Sequence, residues 1–358
     1  MTPDQPKSRL SSQKVRLLAA SVAVLVAFAW VMKQGALPIL PPRSALSGVD
    51  FRLVVLVNAT LLISSLLRMA RCYFLIRPVA NVPFRRIMSI ACVAAGLLTF
   101  LPFRLGEVAK PAMLREKGRL SALAVTGTIG AERLTDGLVL SVTLFLGLLF
   151  AKPLAVLPDH IGNLPVPAAL VPHAASVSVV VFGGGFFVMA VFYFARKFAR
   201  AVVERVLGLV SQKFATKVAN VLERISDGLQ FLSDFRNAAP FLLTTLVAFY
   251  AHLWALQVLA AAVHMPQLST AQAAVILGVL GLGFAVPNAP GFFGAIQLAL
   301  YAGMAVYLPP QTVIHEGAAF AFLFYCGYIA QTILLTLCGL LGEFFQSRRS
   351  QSAELQAT

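Results

Sequence analysis

The stretch that decides the fold is residues 87–118, IMSIACVAAGLLTFLPFRLGEVAKPAMLREKG. Its first half is apolar but shorter than the about 20 residues that a membrane-spanning helix needs. It then meets Pro102 and a charged run that includes Arg104 and Glu107. Basic residues precede and follow the apolar part, so the positive-inside rule puts both of its ends in the cytoplasm. We therefore predict a re-entrant hairpin, a broken backbone that is tolerated at membrane depth where protein buries it or where it lines a wet cavity.

The composition of the whole chain is that of a membrane protein. Of its 358 residues, 59% are hydrophobic and 12% are charged, about half the charged share of an average soluble domain. Disordered chains have the opposite composition. The 29 Lys and Arg residues outnumber the 14 Asp and Glu residues, but the excess lies between apolar runs, where it sets topology and meets anionic lipids. No nucleic-acid partner is expected, because no segment forms a basic soluble face.

The apolar runs predict an all-α polytopic membrane protein with six full spans and two re-entrant hairpins. The transmembrane domain is predicted at 17–345, between a cytoplasmic basic N-terminus at 1–16 and a cytoplasmic tail at 346–358. Within it, the amphipathic segment 196–236 indicates either a helix or helix pair on the inner leaflet or a cytoplasmic helical linker. The expected location is the plasma membrane (the cytoplasmic or inner membrane). The six spans are predicted at 17–32, 51–76, 120–150, 175–195, 239–263 and 317–342.

The second hairpin is predicted within 271–307, whose flanks lack Lys and Arg, so it enters from the outside. Its apolar run is interrupted by Pro287, Pro290, Gly291 and Gly294. Both breaks contain Pro-x-x-x-Gly, as Pro102 to Gly106 and as Pro287 to Gly291. Two interrupted segments that face opposite sides are typical of an inverted-repeat transporter with its site near the midplane, because broken helices direct free backbone groups and half-helix dipoles at a polar cargo. The alternative is that these residues only kink ordinary membrane helices.

Three charged residues, Glu132, Arg133 and Asp136, lie in the long run at 120–150. A charge at the centre of a membrane helix costs about 2.5–3.5 kcal/mol on insertion scales, so such residues usually pair or line a path. The two carboxylates are four residues apart and repel on one helix face. Arg133 relieves part of this repulsion, and Arg104 and Lys110 are the expected further partners. A purely structural network at the inner membrane boundary is the alternative.

Two more arginines, Arg68 and Arg71, lie near the predicted inner end of the second span. They are either topology markers that reach lipid phosphates or part of the entrance to the site. The four cysteines and five histidines show no metal-ligand spacing. The sequence contains no HExxH, P-loop or GxSxG motif. No metal, cofactor or catalytic residue is therefore predicted.

Taken together, the motifs resemble those of the transmembrane, flippase-like domain of lysylphosphatidylglycerol synthases and its stand-alone relatives. The resemblance covers about residues 15 to 345. It is carried by LPFRLGEVAKPAMLREKG (101–118), AERLTDGLVL (131–140) and VPNAPGFFGAIQLAL (286–300). These segments look like the R-x-G-E segment, the E-R-x-x-D helix and the P-x-x-P-G-x-x-G turn of that family.

The resemblance implies a lipid transporter or flippase, whose cargo is an anionic phospholipid, a polyprenyl lipid or a hopanoid lipid. The residues predicted to bind the headgroup are Arg104, Glu107, Lys110, Glu132, Arg133 and Asp136. Many members carry glutamate where this chain has Gln297, which removes the charge that proton coupling at this position would need and points to a different cargo. No aminoacyl-transferase domain accompanies the membrane domain, so synthesis of the lysyl-lipid is not expected.

Two other functions stay open beside transport. The first is a membrane enzyme that acts on lipid-linked substrates, and the second is an accessory subunit of a lipid-modifying system, with 196–236 as its docking face. A homodimer and a complex with a lipid-modifying enzyme are both open as assemblies.

Overall fold

The structure, a computed structural model, describes residues 40–101, 106–116, 120, 122–161, 164–165, 170–209, 211–226, 234–285 and 290–357, together with Val22, Val26 and Trp30. The helices are α1 (Arg43–Ser47), α2 (Phe51–Ala70), α3 (Cys72–Ile76), α4 (Phe84–Phe100), α5 (Ala109–Glu116), α6 (Ala122–Phe150), α7 (Leu170–Phe194), α8 (Arg196–Gly208), α9 (Gln212–Ser226), α10 (Phe235–Ala262), α11 (Thr270–Ala285), α12 (Ala295–Ala305), α13 (Pro310–Ile314) and α14 (Glu316–Ala357). One antiparallel pair of short strands, β1 (His160–Ile161) and β2 (Leu164–Pro165), lies between α6 and α7. The predicted all-α polytopic fold is confirmed.

Five segments of the described chain are long and apolar enough to cross a membrane. They are Phe51–Ile76, Val125–Phe150, Leu170–Phe194, Phe235–Ala262 and Pro310–Gln346. These correspond to five of the six predicted spans. The remaining prediction, 17–32, lies outside the described residues except for Val22, Val26 and Trp30, which are helical and exposed. The span predicted to start near 175 begins at Leu170 instead, because α7 includes the preceding apolar residues.

The first predicted hairpin consists of α4 and α5. Gly106 lies so close to the last turn of α4 that a Cβ atom there would be 2.1 Å from the carbonyl oxygen of Leu97. Further along, Leu114 of α5 shares a buried cluster with Ile87 and Ile90 of α4. The chain therefore folds back along α4 after the break. The turn itself, which includes Pro102 and Arg104, lies outside the described residues.

The second predicted hairpin consists of α11 and α12. A Cβ atom on Gly303 would lie 3.0 Å from Cα of Ile276, and one on Gly283 would lie 2.7 Å from Cβ of Ala299. These contacts show that the two helices run antiparallel and that both glycines are packed more closely than ordinary Cβ contacts. The chain re-enters through a 3₁₀ turn at Pro290–Phe292. The preceding Pro287 is not among the described residues.

The two hairpins start from opposite ends of one antiparallel helix pair, α2 and α10. At one end of the pair, the Asp50 amide donates to the carbonyl of Ala262 at 3.0 Å. Towards the other end, Arg71 Nη1 donates to Thr245 Oγ1 at 2.8 Å. The first hairpin follows the C-terminal end of α2 and the second follows the C-terminal end of α10. This is the opposed arrangement expected of an inverted repeat.

Each half of the molecule also covers the hairpin of the other half. The span α6, which follows the first hairpin, packs along α11, and a Cβ atom on Gly281 would lie 2.2 Å from the side chain of Leu140. Reciprocally, α14 packs along α4, and a Cβ atom on Gly339 would lie 2.7 Å from Cβ of Cys92. Small residues at both contacts let the backbones approach closely, as is usual between membrane helices.

The amphipathic segment predicted at 196–236 contains the helix pair α8 and α9. The two helices are joined by an ion pair between Arg200 Nη1 and Glu223 Oε2 at 3.2 Å. One boundary of the prediction is wrong. Phe235 and Arg236 already belong to the spanning helix α10, whose first turn is capped by Asp234 Oδ1 accepting from the Arg236 amide at 3.0 Å.

Candidate functional site

Two carboxylates on α6 form the centre of the candidate site. The side chains of Glu132 and Asp136 are 16% and 18% exposed. On the same helix Ala131 and Thr135 are buried, so this part of α6 faces other helices rather than open surface. Two negative charges one helical turn apart repel each other. Their placement inside the bundle therefore requires nearby cations.

The first cation is Lys110, which the hairpin helix α5 supplies. Its Nζ atom lies 2.5 Å from Oε2 of Glu132. It also donates to Sγ of Cys72 at 3.0 Å, and that sulfur lies 3.6 Å from Oε1 of Glu132. The pairing of Lys110 with this helix is the one expected from the sequence. It joins the first hairpin to α6 and, through Cys72, to the end of the span Phe51–Ile76.

The second cation is Arg71, whose side chain is 1% exposed. Its Nη2 atom lies 2.5 Å from Oδ2 of Asp136 and 3.9 Å from Oε1 of Glu132. Its guanidinium also lies over the ring of Phe241, 5.3 Å from the centroid. The interpretation of Arg71 as a topology marker at the membrane boundary is therefore wrong, because its side chain is enclosed by α6 and α10.

The third cation is Arg68, one helical turn before Arg71. Its Nη2 atom lies 3.3 Å from the same Asp136 Oδ2 atom that Arg71 contacts. Its side chain is 42% exposed and lies over the ring of Phe249, 5.8 Å from the centroid. Arg68 thus combines a position on a spanning helix with an accessible guanidinium.

The charged cluster lies beside the place where the two hairpins meet, at Tyr328 of α14. The Tyr328 hydroxyl is 2.9 Å from Oγ1 of Thr99, in the last turn of the first hairpin's long helix. The Tyr328 ring is in edge contact with Phe292, in the turn of the second hairpin, at a centroid distance of 6.3 Å. The first hairpin also contributes directly to the charged cluster, because Lys110 of α5 pairs with Glu132.

With this arrangement in view, the family can be identified. The sequence profile described as "Lysylphosphatidylglycerol synthase TM region" matches residues 17–337 of the 358. The chain belongs to this family. Comparison with curated proteins and with solved structures gave no match.

This member of the lysylphosphatidylglycerol synthase TM family is thus a multi-pass membrane protein related to lipid handling. The match and the five spanning segments agree with the family resemblance noted in the sequence. Of the residues predicted to bind the headgroup, the structure brings together Lys110, Glu132 and Asp136.

The other predicted headgroup residues have different surroundings. Arg133 is exposed. The position beside Asp136, where Arg133 was expected, is occupied by Arg71. The physical reason is that Asp136 faces α2, where a buried guanidinium fills the space. Glu107 is partly buried, three residues before Lys110. Arg104 lies outside the described residues.

Sequence reasoning missed the contribution of Arg71 to the network, although a signal was present. Arg71 continues the helical spacing of Val57, Leu61, Ser64 and Arg68 along α2, and the first three of these are buried. Its buried face could therefore have been inferred from the periodicity. A further apolar turn, Cys72–Ile76, also follows it, so Arg71 is not at the end of the run.

The second hairpin of this family member is organised by the conformation of two glycines and by Gln297. Gly291 and Gly294 have φ angles of 75° and 82°, a left-handed region that favours glycine. The helix α12 begins directly after Gly294. The Gly294 amide donates to Oε1 of the buried Gln297 at 2.8 Å. Gln297 therefore caps a helix with a neutral acceptor.

Replacing Gln297 by leucine should destabilise the protein by about 1–3 kcal/mol, because the buried Gly294 amide loses its acceptor. The measurement is the free energy of unfolding of the detergent-solubilised protein in a titration with sodium dodecyl sulfate. The matched control is Gln311→Leu, the same change at an exposed position of α13. Equal stabilities of the two variants would contradict the capping role.

Proposed function

We propose that this chain moves an anionic lipid between the leaflets of the plasma membrane, with the headgroup at the charged cluster and the acyl tails in the surrounding bilayer. One observation carries the proposal. Five ionisable side chains from the span Phe51–Ile76, α5 and α6 converge beside the junction of the two hairpins. They are Arg68, Arg71, Lys110, Glu132 and Asp136.

The energetics of the cluster support a polar cargo. Charged groups within a membrane are costly, and they commonly mark the path of a substrate or ion. Two buried atoms of the cluster, Arg71 Nε and Asp136 Oδ1, have no hydrogen-bond partner among the described residues. Such unpaired buried groups are rare in native structures. They support a network that forms further hydrogen bonds when a headgroup, or another conformation of the helices, supplies the partners.

The fold supports alternating access. Two broken segments of opposite orientation that meet beside a polar site are the usual arrangement of inverted-repeat transporters. In this proposal both termini are cytoplasmic, the partners are membrane lipids, and the chain acts as a transporter rather than as an enzyme.

The proposal predicts headgroup-dependent lipid movement in proteoliposomes. Vesicles of phosphatidylcholine and phosphatidylglycerol would contain a trace of either lipid with a fluorescent label on an acyl chain, and dithionite would quench the label in the outer leaflet. The wild-type protein should make labelled phosphatidylglycerol accessible faster than labelled phosphatidylcholine. Lys110→Gln should lower the rate of phosphatidylglycerol movement about tenfold or more. The reason is that a charge-assisted hydrogen bond between the lysine and the headgroup is worth about 1.5–3 kcal/mol.

The matched control for this experiment is Arg200→Gln, which removes a cation from the half-exposed ion pair between α8 and α9. It should leave both rates unchanged. Equal movement of phosphatidylglycerol by the Lys110→Gln variant and the wild type would contradict the site. If the wild-type protein moves neither lipid, phospholipid transport is contradicted. The remaining functions are then a membrane enzyme, an accessory subunit or a transporter of a polyprenyl lipid. Mass spectrometry of co-purified lipid would then separate these.

A further inference from the structure

The charges of the described cluster do not balance, and the excess is positive. Lys110 pairs with Glu132, and Arg71 pairs with Asp136, each at 2.5 Å. Arg68 is the third cation beside these two carboxylates. Its contact with Asp136 is longer, 3.3 Å, and uses the oxygen atom that Arg71 already contacts. Arg68 is therefore the cation whose charge the cluster neutralises least.

Arg68 is also the most accessible member of the cluster. Its side chain is 42% exposed, compared with 1% for Arg71 and 20% for Lys110. Yet its surroundings are those of an interior position. It contacts Asp136 of α6 and lies over the ring of Phe249 of α10. The guanidinium is therefore held between two neighbouring helices while part of it stays accessible.

The chemistry of this position fits a phosphodiester. A guanidinium binds phosphate through two parallel N–H donors, a geometry that an ammonium group cannot provide. The ring of Phe249 lies against the guanidinium, and such cation–π contact is favourable when the cation is partly desolvated. The surplus positive charge would be neutralised by a headgroup with a net charge of −1 and not by a zwitterionic one.

On the basis of the proposed transport function, we propose that Arg68 binds the phosphodiester of the transported lipid and selects a headgroup of net negative charge. On binding, the phosphate oxygens replace the 3.3 Å contact with Asp136, while Arg71 holds that carboxylate in place. Arg68 thus acts as the specificity-determining residue, and Arg71 acts as the residue that positions its neighbour.

The test compares Arg68→Gln and Arg68→Lys with the wild-type protein, using labelled phosphatidylglycerol and labelled phosphatidylcholine in the vesicle assay above. We expect Arg68→Gln to lower the ratio of the phosphatidylglycerol rate to the phosphatidylcholine rate about tenfold. Arg68→Lys keeps the charge but loses the two-donor geometry, so its ratio should be intermediate. A purely structural defect would lower both rates and leave their ratio unchanged. The control is Arg52→Gln, which removes an exposed arginine from the other end of α2.

The outcomes separate this inference from the function on which it rests. If the wild-type protein moves no lipid, the transport function itself fails. If the wild-type protein prefers phosphatidylglycerol and Arg68→Gln keeps that preference, the transport function stands and the role of Arg68 is overturned. If Arg68→Lys has the same ratio of phosphatidylglycerol rate to phosphatidylcholine rate as the wild type, the proposed two-donor contact with the phosphate is overturned. Where Arg68→Gln fails to fold, Arg68→Lys alone still tests the selectivity.

Discussion

Replacing Arg71 by leucine should lower the free energy of unfolding by about 3–5 kcal/mol, the usual cost of breaking a buried ion pair by removing one partner. The change leaves Asp136 without its 2.5 Å contact and takes a second cation away from Glu132. It also removes the hydrogen bond to Thr245 that joins α2 to α10. Unfolding of the purified variant in sodium dodecyl sulfate gives the stability. The vesicle assay should show no preference for phosphatidylglycerol.

A double variant distinguishes the loss of the pair from the loss of packing. In Arg71→Leu combined with Asp136→Leu, neither charge of the pair is left alone, so much of the stability should return while the preference for phosphatidylglycerol stays lost. The matched single control is Arg200→Leu, which breaks half-exposed ion pairs within α8 and between α8 and α9 and should cost less than about 1 kcal/mol. If Arg71→Leu lowers the free energy of unfolding no more than the control does, the buried ion pair contributes no more to stability than a half-exposed one.

Replacing Gly106 by alanine should disrupt the first hairpin. The added Cβ atom would lie 2.1 Å from the carbonyl oxygen of Leu97 and 2.3 Å from Cα of Leu98. Both are backbone atoms, so α5 must move away from α4. We expect a loss of stability at or above the about 1–3 kcal/mol that is usual for overpacking. Because Lys110 follows four residues later, transport should fall as well, and the unfolding titration and the vesicle assay measure the two effects.

The matched control for this change is Gly184→Ala in α7. Among the described residues, and apart from the backbone of its own helix and its chain neighbours, no atom lies within 4 Å of the position that its Cβ would occupy. Alanine is also the better helix former by about 0.8–1.0 kcal/mol, so this variant should be as stable as the wild type or slightly more stable. Equal behaviour of the two alanine variants would mean that the return of the chain at Gly106 is looser than described.

Much of this architecture could be predicted from the sequence because it depends on local properties. A run of apolar residues long enough to cross the bilayer identifies a span without any knowledge of its neighbours. The re-entry of the first hairpin could be inferred because short apolar length, Pro102 and flanking positive charge coincide in one stretch. The pairing of Lys110 with Glu132 was within reach for the same reason: the hairpin carrying the cation immediately precedes the helix carrying the carboxylate.

What could not be predicted depends on contacts between distant parts of the chain. Asp136 takes its partner from a helix 65 residues earlier, and nothing near either residue identifies the other. The sequence alone therefore favours Arg133 as the partner of this carboxylate, but Arg133, although near in sequence, is exposed in the fold. Gln297 is a second case. Its side chain accepts from the Gly294 amide at the start of α12, after a turn in which Gly291 and Gly294 have positive φ angles, and the sequence alone does not show that α12 begins there.

The reciprocal cover of the two hairpins has a consequence for how the protein is made. The chain is synthesised from its N-terminus, so α4 and α6 enter the membrane long before their packing partners α14 and α11 leave the ribosome. Until then Cys92 of α4 and Leu140 of α6 meet lipid instead of the glycines that later cover them. The first half cannot reach its final packing as an independent unit during synthesis. Its packing is completed only after the last span, α14, has been inserted.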